Sequence, residues 1–304
     1  MTSKGKAVKR MKIKKSKEDK IFDIFLYWIA IIILIIVLYP MYFIIIASFS
    51  NPAEVAAGNI TFFPKGITLK GYRKLAEYSQ LWIGYKNTIL YTVIGTVITL
   101  VTNIPAAYAL SRKDLYGKKF LTVFFLIPMF FTGGLIPTYL AIKQFQMLDN
   151  FWVMVLPFSV VTYYIVVART FFGNTLPEEL WESAQIDGCG TLTFFFKMVL
   201  PLSKAVLAVI ALWAAVGQWN SYFNALVYLR NPDLQPLQLV LRNILISNQT
   251  IVSMTTGAAA VEAKQTAELI KYAIIVISSL PIMCMYPFVQ KYFNKGVMLG
   301  SLKG

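Results

Sequence analysis

Four carboxylates, Glu178, Glu179, Glu182 and Asp187, share one polar interval between apolar runs, TLPEELWESAQIDGCGTLTFFFKMVLP, from Thr175 to Pro201. Paired acids at a membrane surface could serve general acid–base chemistry in glycosyl transfer. The loop is short, however, and holds no basic cluster to take a diphosphate donor, and the whole chain has no histidine. A Gly-x-x-x-x-Gly-Lys-Ser/Thr phosphate loop is also missing, so ATP hydrolysis is not expected in this chain. Two cysteines, Cys189 and Cys284, offer neither a disulfide framework nor metal-ligand spacing, and no metal site is expected.

A second group of residues has the chemistry to hold a solute. Gln218, Trp219, Asn220, Ser221, Tyr222, Phe223 and Asn224 cluster near the outer half of an apolar run. Amides offer hydrogen bonds to hydroxyls and aromatic rings offer flat faces, which together suit a neutral sugar. Polar groups at membrane depth are costly and mark pathways. Asn103, Tyr108, Thr132 and Tyr163 are therefore further candidates, each of which could equally be a helix-packing hydrogen bond.

The elements that must position these groups follow from composition. The 304 residues are 57% hydrophobic and 14% charged, with a mean hydropathy of +0.62, which places the chain among integral membrane proteins. Six apolar runs are read as spans: about 22–49, 82–110, 120–142, 151–172, 199–227 and 268–289. The first is too long for a cleavable signal and lacks a small-residue cleavage site. Nine Lys/Arg precede Ile21; a basic tail abutting an apolar span is a topology and lipid-surface signal rather than a nucleic-acid site. With that tail inside, alternation places 19 of the 29 Lys/Arg inside, which supports both termini and the 175–201 interval lying in the cytoplasm. Pro105, Pro128, Pro157 and Pro281 fall within spans and predict kinks. A secondary transporter would need an ionisable relay at the bilayer midplane, and the spans carry none.

In the 175–201 interval, Thr175, Pro177 and Glu178 predict a capped helix start. Leu180, Trp181 and Ala184 form its apolar side, opposite Glu178 and Glu182. Gly188 and Gly190 break the helix. Asp187 is ill placed for the helix dipole, so Asp187 or Thr191 is expected to cap the helix that follows.

Glu182-Ser183-Ala184-Gln185-Ile186-Asp187-Gly188, followed by Val199-Leu200-Pro201, resembles the "EAA loop" of binding-protein-dependent ABC importer permeases. Asn87-Thr88 and Ala106 to Arg112 resemble the start and end of that family's first core span. The Trp219-Asn220 run resembles its sugar permeases, and Pro287 to Gly304 resembles the terminus of the maltose-type branch. Ser183 stands where alanine is usual, and Ala225 where proline is frequent.

The resemblance implies an all-α membrane protein of type I ABC importer permease fold, with six transmembrane helices and a cytoplasmic coupling helix. It divides the chain into a basic tail (1–20), a first span with an extracytoplasmic segment (21–81), a core (82–290) with a coupling loop (174–201), and a C-terminal tail (291–304). Glu182, Ala184, Asp187, Gly188 and Pro201 are implied to couple to an ATPase, as are Gly296, Gly300 and Lys303 of the tail. Gln218, Trp219, Asn220, Tyr222, Asn224, Asn103, Tyr108 and Tyr163 are the expected solute path. The implied partners are a second permease, two copies of an ATPase that binds ATP and Mg, an extracytoplasmic sugar-binding protein, membrane lipid and an oligosaccharide. The implied location is the bacterial cytoplasmic membrane. An ABC permease for a non-sugar solute is the alternative reading, and a secondary transporter stands behind it.

Overall fold

The computed structural model describes residues 16–300; for Tyr286 and for 288–300 it describes the backbone alone. Lys303 and most of the basic N-terminal tail therefore lie outside the described residues, and of Gly296 and Gly300 only their place in the last helix is given. No strand occurs among the described residues.

The first span, α1 (Lys17–Ser48), starts earlier than its hydropathy predicts. Ser16 accepts the Asp19 backbone N–H at 3.1 Å, and the Asp19 carboxylate accepts the Ser16 N–H at 3.0 Å, a reciprocal capping box. The axis of the fold is α2 (Ser79–Ser111), against which α5 (Thr162–Thr175), α8 (Lys204–Trp219) and α10 (Leu237–Met254) all pack. Its inner face is built from small and hydroxyl residues, so neighbours come close. A Cβ on Gly95 would stand 2.7 Å from Nε2 of Gln218, and that space exists only because the residue is glycine.

Among the described residues, three helices are long and apolar enough to cross a membrane: α1, α2 and the 258–285 part of α11 (Ala258–Gly300). The number is five if each of two bent pairs forms one span. Spans three and four are thus not the continuous helices that hydropathy predicts. The third is α3 (Lys118–Phe130) followed by α4 (Leu135–Gln144), bent by 116° across the break at 131–134. Pro128 closes the first piece and Pro137 opens the second.

The fourth run is a single 3-10 turn (Phe151–Met154) and an irregular stretch containing Pro157, and only then α5. Non-helical backbone at this depth needs partners from the protein, and Asn103 supplies them. Its amide nitrogen donates to the Ser159 carbonyl at 2.7 Å, and its amide oxygen accepts the Val161 N–H at 2.8 Å.

The fifth span begins at Lys204 rather than Val199. Residues 191–202 form α7 (Thr191–Phe194), a π turn (Phe195–Val199) and a short final turn, and meet α8 at 81°. Pro201 accounts for the geometry: its ring would strike the Lys197 carbonyl in a regular α-helix, so the backbone widens into a π turn before it and kinks after it.

Two elements close the far end of α2: the short α9 (Phe223–Tyr228) and the 18-residue α10, which the hydropathy reading does not include. Asn87 donates to the carbonyls of Asp233 (2.7 Å) and Gln235 (3.1 Å), Tyr91 donates to that of Leu234 (2.8 Å), and the Thr88 hydroxyl accepts the Leu237 N–H at 2.7 Å. The Asn-Thr pair that opens the core is thus a grip on the turn entering α10. Pro281 leaves the Ile277 carbonyl without its helical donor; the Tyr85 hydroxyl donates to it at 2.8 Å, and the Trp219 indole N–H donates to the next carbonyl, Ser278, at 3.1 Å.

Asn103→Leu should strand the Ser159 carbonyl and the Val161 N–H together and cost about 3 kcal/mol. The expected outcome is a fall of several degrees in the thermal midpoint of the solubilised protein, with hydrogen exchange rising first at 155–162.

Candidate functional site

The elbow is α6 (Glu178–Ile186) with the turn that follows it. Thr175 does not cap it, as the last residue of α5 is Thr175 itself and the N-cap position is Pro177, which has no side chain to donate or accept. The helix stop, by contrast, is well made. The Gly188 N–H bonds the Gln185 carbonyl (3.0 Å) and the Cys189 N–H bonds that of Ala184 (2.8 Å), a Schellman closure with Gly188 at φ +75°. Asp187 is the C-cap of α6, and α7 has Gly190 at its N-cap with no side-chain bond, so neither Asp187 nor Thr191 caps the second helix.

The two faces of α6 have different fates. Trp181, 9% exposed, meets Phe194 edge-on at 5.0 Å, and Leu180, Ala184 and Cys189 pack on the same cluster with Phe195, Val199 and Tyr108. The Arg112 guanidinium lies 4.4 Å over the Trp181 ring, held by two bonds to the Asp114 carboxylate at 2.9 and 2.7 Å. That guanidinium holds the Asp114 carboxyl below its usual range. Lys113, beside it, pairs with Glu178, which pushes the ammonium pKa up.

The opposite face is bare. Glu182, Asp187 and Ile186 are exposed, Ile186 to 87%, and Leu192 beyond the turn to 74%. The Glu182 and Asp187 carboxylates have no hydrogen bond or ion pair among the described residues. Ala184 is therefore a packing residue, and Gly188 and Pro201 shape the backbone. Arg112 and Trp181, the latch between α2 and the elbow, were missed as site residues; their signal was a cation at the end of one span and the largest apolar side chain of the next polar helix.

The expected solute path is scattered. Asn103 is fully buried with its amide committed to Thr99, Ser159 and Val161, and Trp219 is buried with its N–H on Ser278, so both are packing clamps here. Tyr108, 7% exposed between Phe172 and Phe195, belongs to the elbow end of α2. Gln218 rests on Gly95, and Asn220 bonds back to the Val216 carbonyl at 2.9 Å. Tyr163, half exposed, lies against Trp213 with centroids 5.4 Å apart; Tyr222 is exposed and Asn224 half-buried.

Burial, more than charge, fixes the latch. Trp181→Ala is expected to loosen the elbow by about 3 kcal/mol, whereas Arg112→Ala costs under about 1 kcal/mol because its ion pair is partly solvated. Hydrogen exchange across 176–190 checks the order of the two.

Residues 81–299 match the family model described as "Binding-protein-dependent transport system inner membrane component". Protein LplC of Bacillus subtilis (strain 168) is 37% identical over 289 residues, covering 95% of this chain and 97% of that protein. The polygalacturonan/rhamnogalacturonan transport system permease protein YtcP of the same organism is 36% identical over 94% of this chain and all of its own length. Among solved structures, a chain of a bacterial ABC transporter involved in the import of the acidic polysaccharide alginate superposes with a TM-score of 0.80 at 33% identity, over 92% of this chain and 99% of its own. With its helical fold and apolar spans, the chain belongs to the binding-protein-dependent transport system inner membrane components, the permease subunits of ABC importers, and is not an enzyme.

Proposed function

We propose that the chain is one of two transmembrane subunits of an ATP-driven, binding-protein-dependent importer of oligosaccharides, with α6 as the element that docks on the ATPase. The observation that carries the docking role is the split between the faces of α6. One is anchored through Trp181 and Arg112 to the end of α2, and the other presents Glu182, Asp187 and the exposed Ile186 to a partner. A small apolar side chain ringed by carboxylates suits a protein cleft with basic edges. The saccharide class is supported by the relatives, which include a polygalacturonan permease and an arabinooligosaccharide permease of Halalkalibacterium halodurans at 26% identity.

In this reading the core has five spans and α1 adds a sixth. The fourth is the irregular 155–161 stretch plus α5, and the fifth is α8 with the 191–202 helical segment lying across its inner end. Both termini face the cytoplasm, on the side of the 112–119 basic loop. A second permease completes the pathway, two ATPase subunits bind ATP and Mg, and an extracytoplasmic protein delivers the sugar. Closure of the ATPase pair moves the docked elbow and, through the latch, turns the helices that bound the path.

The tagged chain, purified from its native membrane, should bring down an ATPase and a second permease. In proteoliposomes, Glu182→Arg and Ile186→Asp should each cut sugar-stimulated ATP hydrolysis at least tenfold, while Ser183→Ala leaves it within twofold. A chain that purifies alone, or elbow variants with unchanged hydrolysis, would overturn the assignment.

A further inference from the structure

A second cluster of charged groups lies at the other end of α2, where Asn87 and Tyr91 grip the 233–237 turn. From Tyr91 to Arg112 the helix rises roughly 30 Å at 1.5 Å per residue, about the thickness of a hydrocarbon core. Here Lys143 stands in the last turn of α4, and Asp149, at φ 54°, fastens the turn that follows to the segment after α9. Its N–H donates to the Tyr228 carbonyl at 2.9 Å. One carboxylate oxygen accepts the N–H groups of Arg230 (2.8 Å) and Asn231 (2.7 Å). Those two donors hold the Asp149 carboxyl below its usual range, so it is an anion at neutral pH with one of its two oxygens committed to the backbone.

Around this fastening is a cavity of about 360 Å³ lined by Tyr139, Lys143, Asp149, Tyr228 and Arg230. The Tyr139 and Tyr228 rings are stacked with centroids 6.2 Å apart and planes 18° apart. Among the described residues the Lys143 ammonium makes no hydrogen bond or ion pair, and the Arg230 guanidinium, which lies in the field of Asp149, makes no hydrogen bond. Two cations thus line the cavity with one carboxylate, which leaves it a net positive charge.

We propose that this cavity receives an anionic sugar residue, a hexuronate unit of an acidic oligosaccharide, at the extracytoplasmic mouth of the permease. Lys143 and Arg230 take its carboxylate, and the part-exposed Tyr139 ring, backed by the buried Tyr228, flanks the sugar. The volume suits a small ligand site, and the pairing of concavity, one aromatic face and two unengaged cations favours a charged sugar over a flat protein contact. The site rests on the oligosaccharide-importer reading and adds the sign of the cargo's charge to it.

The test uses the assembled importer, with its second permease and ATPase, in nanodiscs. Trigalacturonate and its methyl ester, which has the same rings without the charge, are titrated by microscale thermophoresis. The wild type is expected to bind the acid at least tenfold more tightly than the ester. Lys143→Gln/Arg230→Gln should reduce that preference below twofold with ester affinity unchanged, whereas the charge-preserving Lys143→Arg/Arg230→Lys keeps it. Should the neutral pair fail to assemble, Lys143→Gln alone, at an exposed helix end, must lower the preference at least threefold. Equal binding of acid and ester by wild type, or a preference that survives the neutral variants, overturns the proposal. So does a neutral variant that loses only its ATPase response to loaded binding protein, since the surface then docks a protein. ATP-driven uptake is read separately: uptake without acid preference removes this site alone, and no uptake of either sugar removes the importer reading.

Discussion

At membrane depth a backbone carbonyl or N–H has no water to turn to, and each one left alone costs several kcal/mol. Most of the polar side chains inside this chain answer to that constraint. Asn103 holds the unwound entry to α5, Tyr85 and Trp219 cover the carbonyls around Pro281, and Asn87, Thr88 and Tyr91 cover the turn into α10. In each case a break in a helix and the side chain that satisfies it are far apart in sequence, so the breaks lock elements together. Kinks that would weaken isolated helices become the joints of the core.

The elbow solves a different problem, which is to stay firmly attached on one face and available on the other. Burying the Trp181 indole contributes on the order of 2–3 kcal/mol, well above the fraction of a kcal/mol expected from the exposed Lys113–Glu178 pair. The charges therefore orient the helix that the indole anchors. Ending the helix with a left-handed glycine, where a Cβ would meet no neighbour, makes Gly188 a conformational requirement rather than a packing one.

Much of this was legible in the sequence. Apolar composition announced the membrane, the 182–188 pattern announced the elbow and its glycine stop, and Asn87-Thr88 marked the start of the core. Hydropathy could not see the breaks in spans three and four, because it averages over the segments in which they occur. It passed over α10 because Arg242, Asn243, Asn248 and Gln249 interrupt the run, although Leu237, Leu239, Val240, Leu241 and Ile244 are buried. A buried amide also reads the same whether it lines a path or clamps a backbone. Only the partner, 56 residues away for Asn103 and Ser159, tells the two apart.

The Asn103 clamp stands between the two ends of α2, and its position has a mechanical meaning. As a rigid rod pivoting at Asn103, the helix has an inner arm of roughly 13 Å to Arg112 and an outer arm of roughly 18 Å to Tyr91. A sideways push of about 1 Å on the inner arm then becomes about 1.4 Å on the outer one, in the opposite direction. Rocking about that clamp would therefore gain travel toward the outer face.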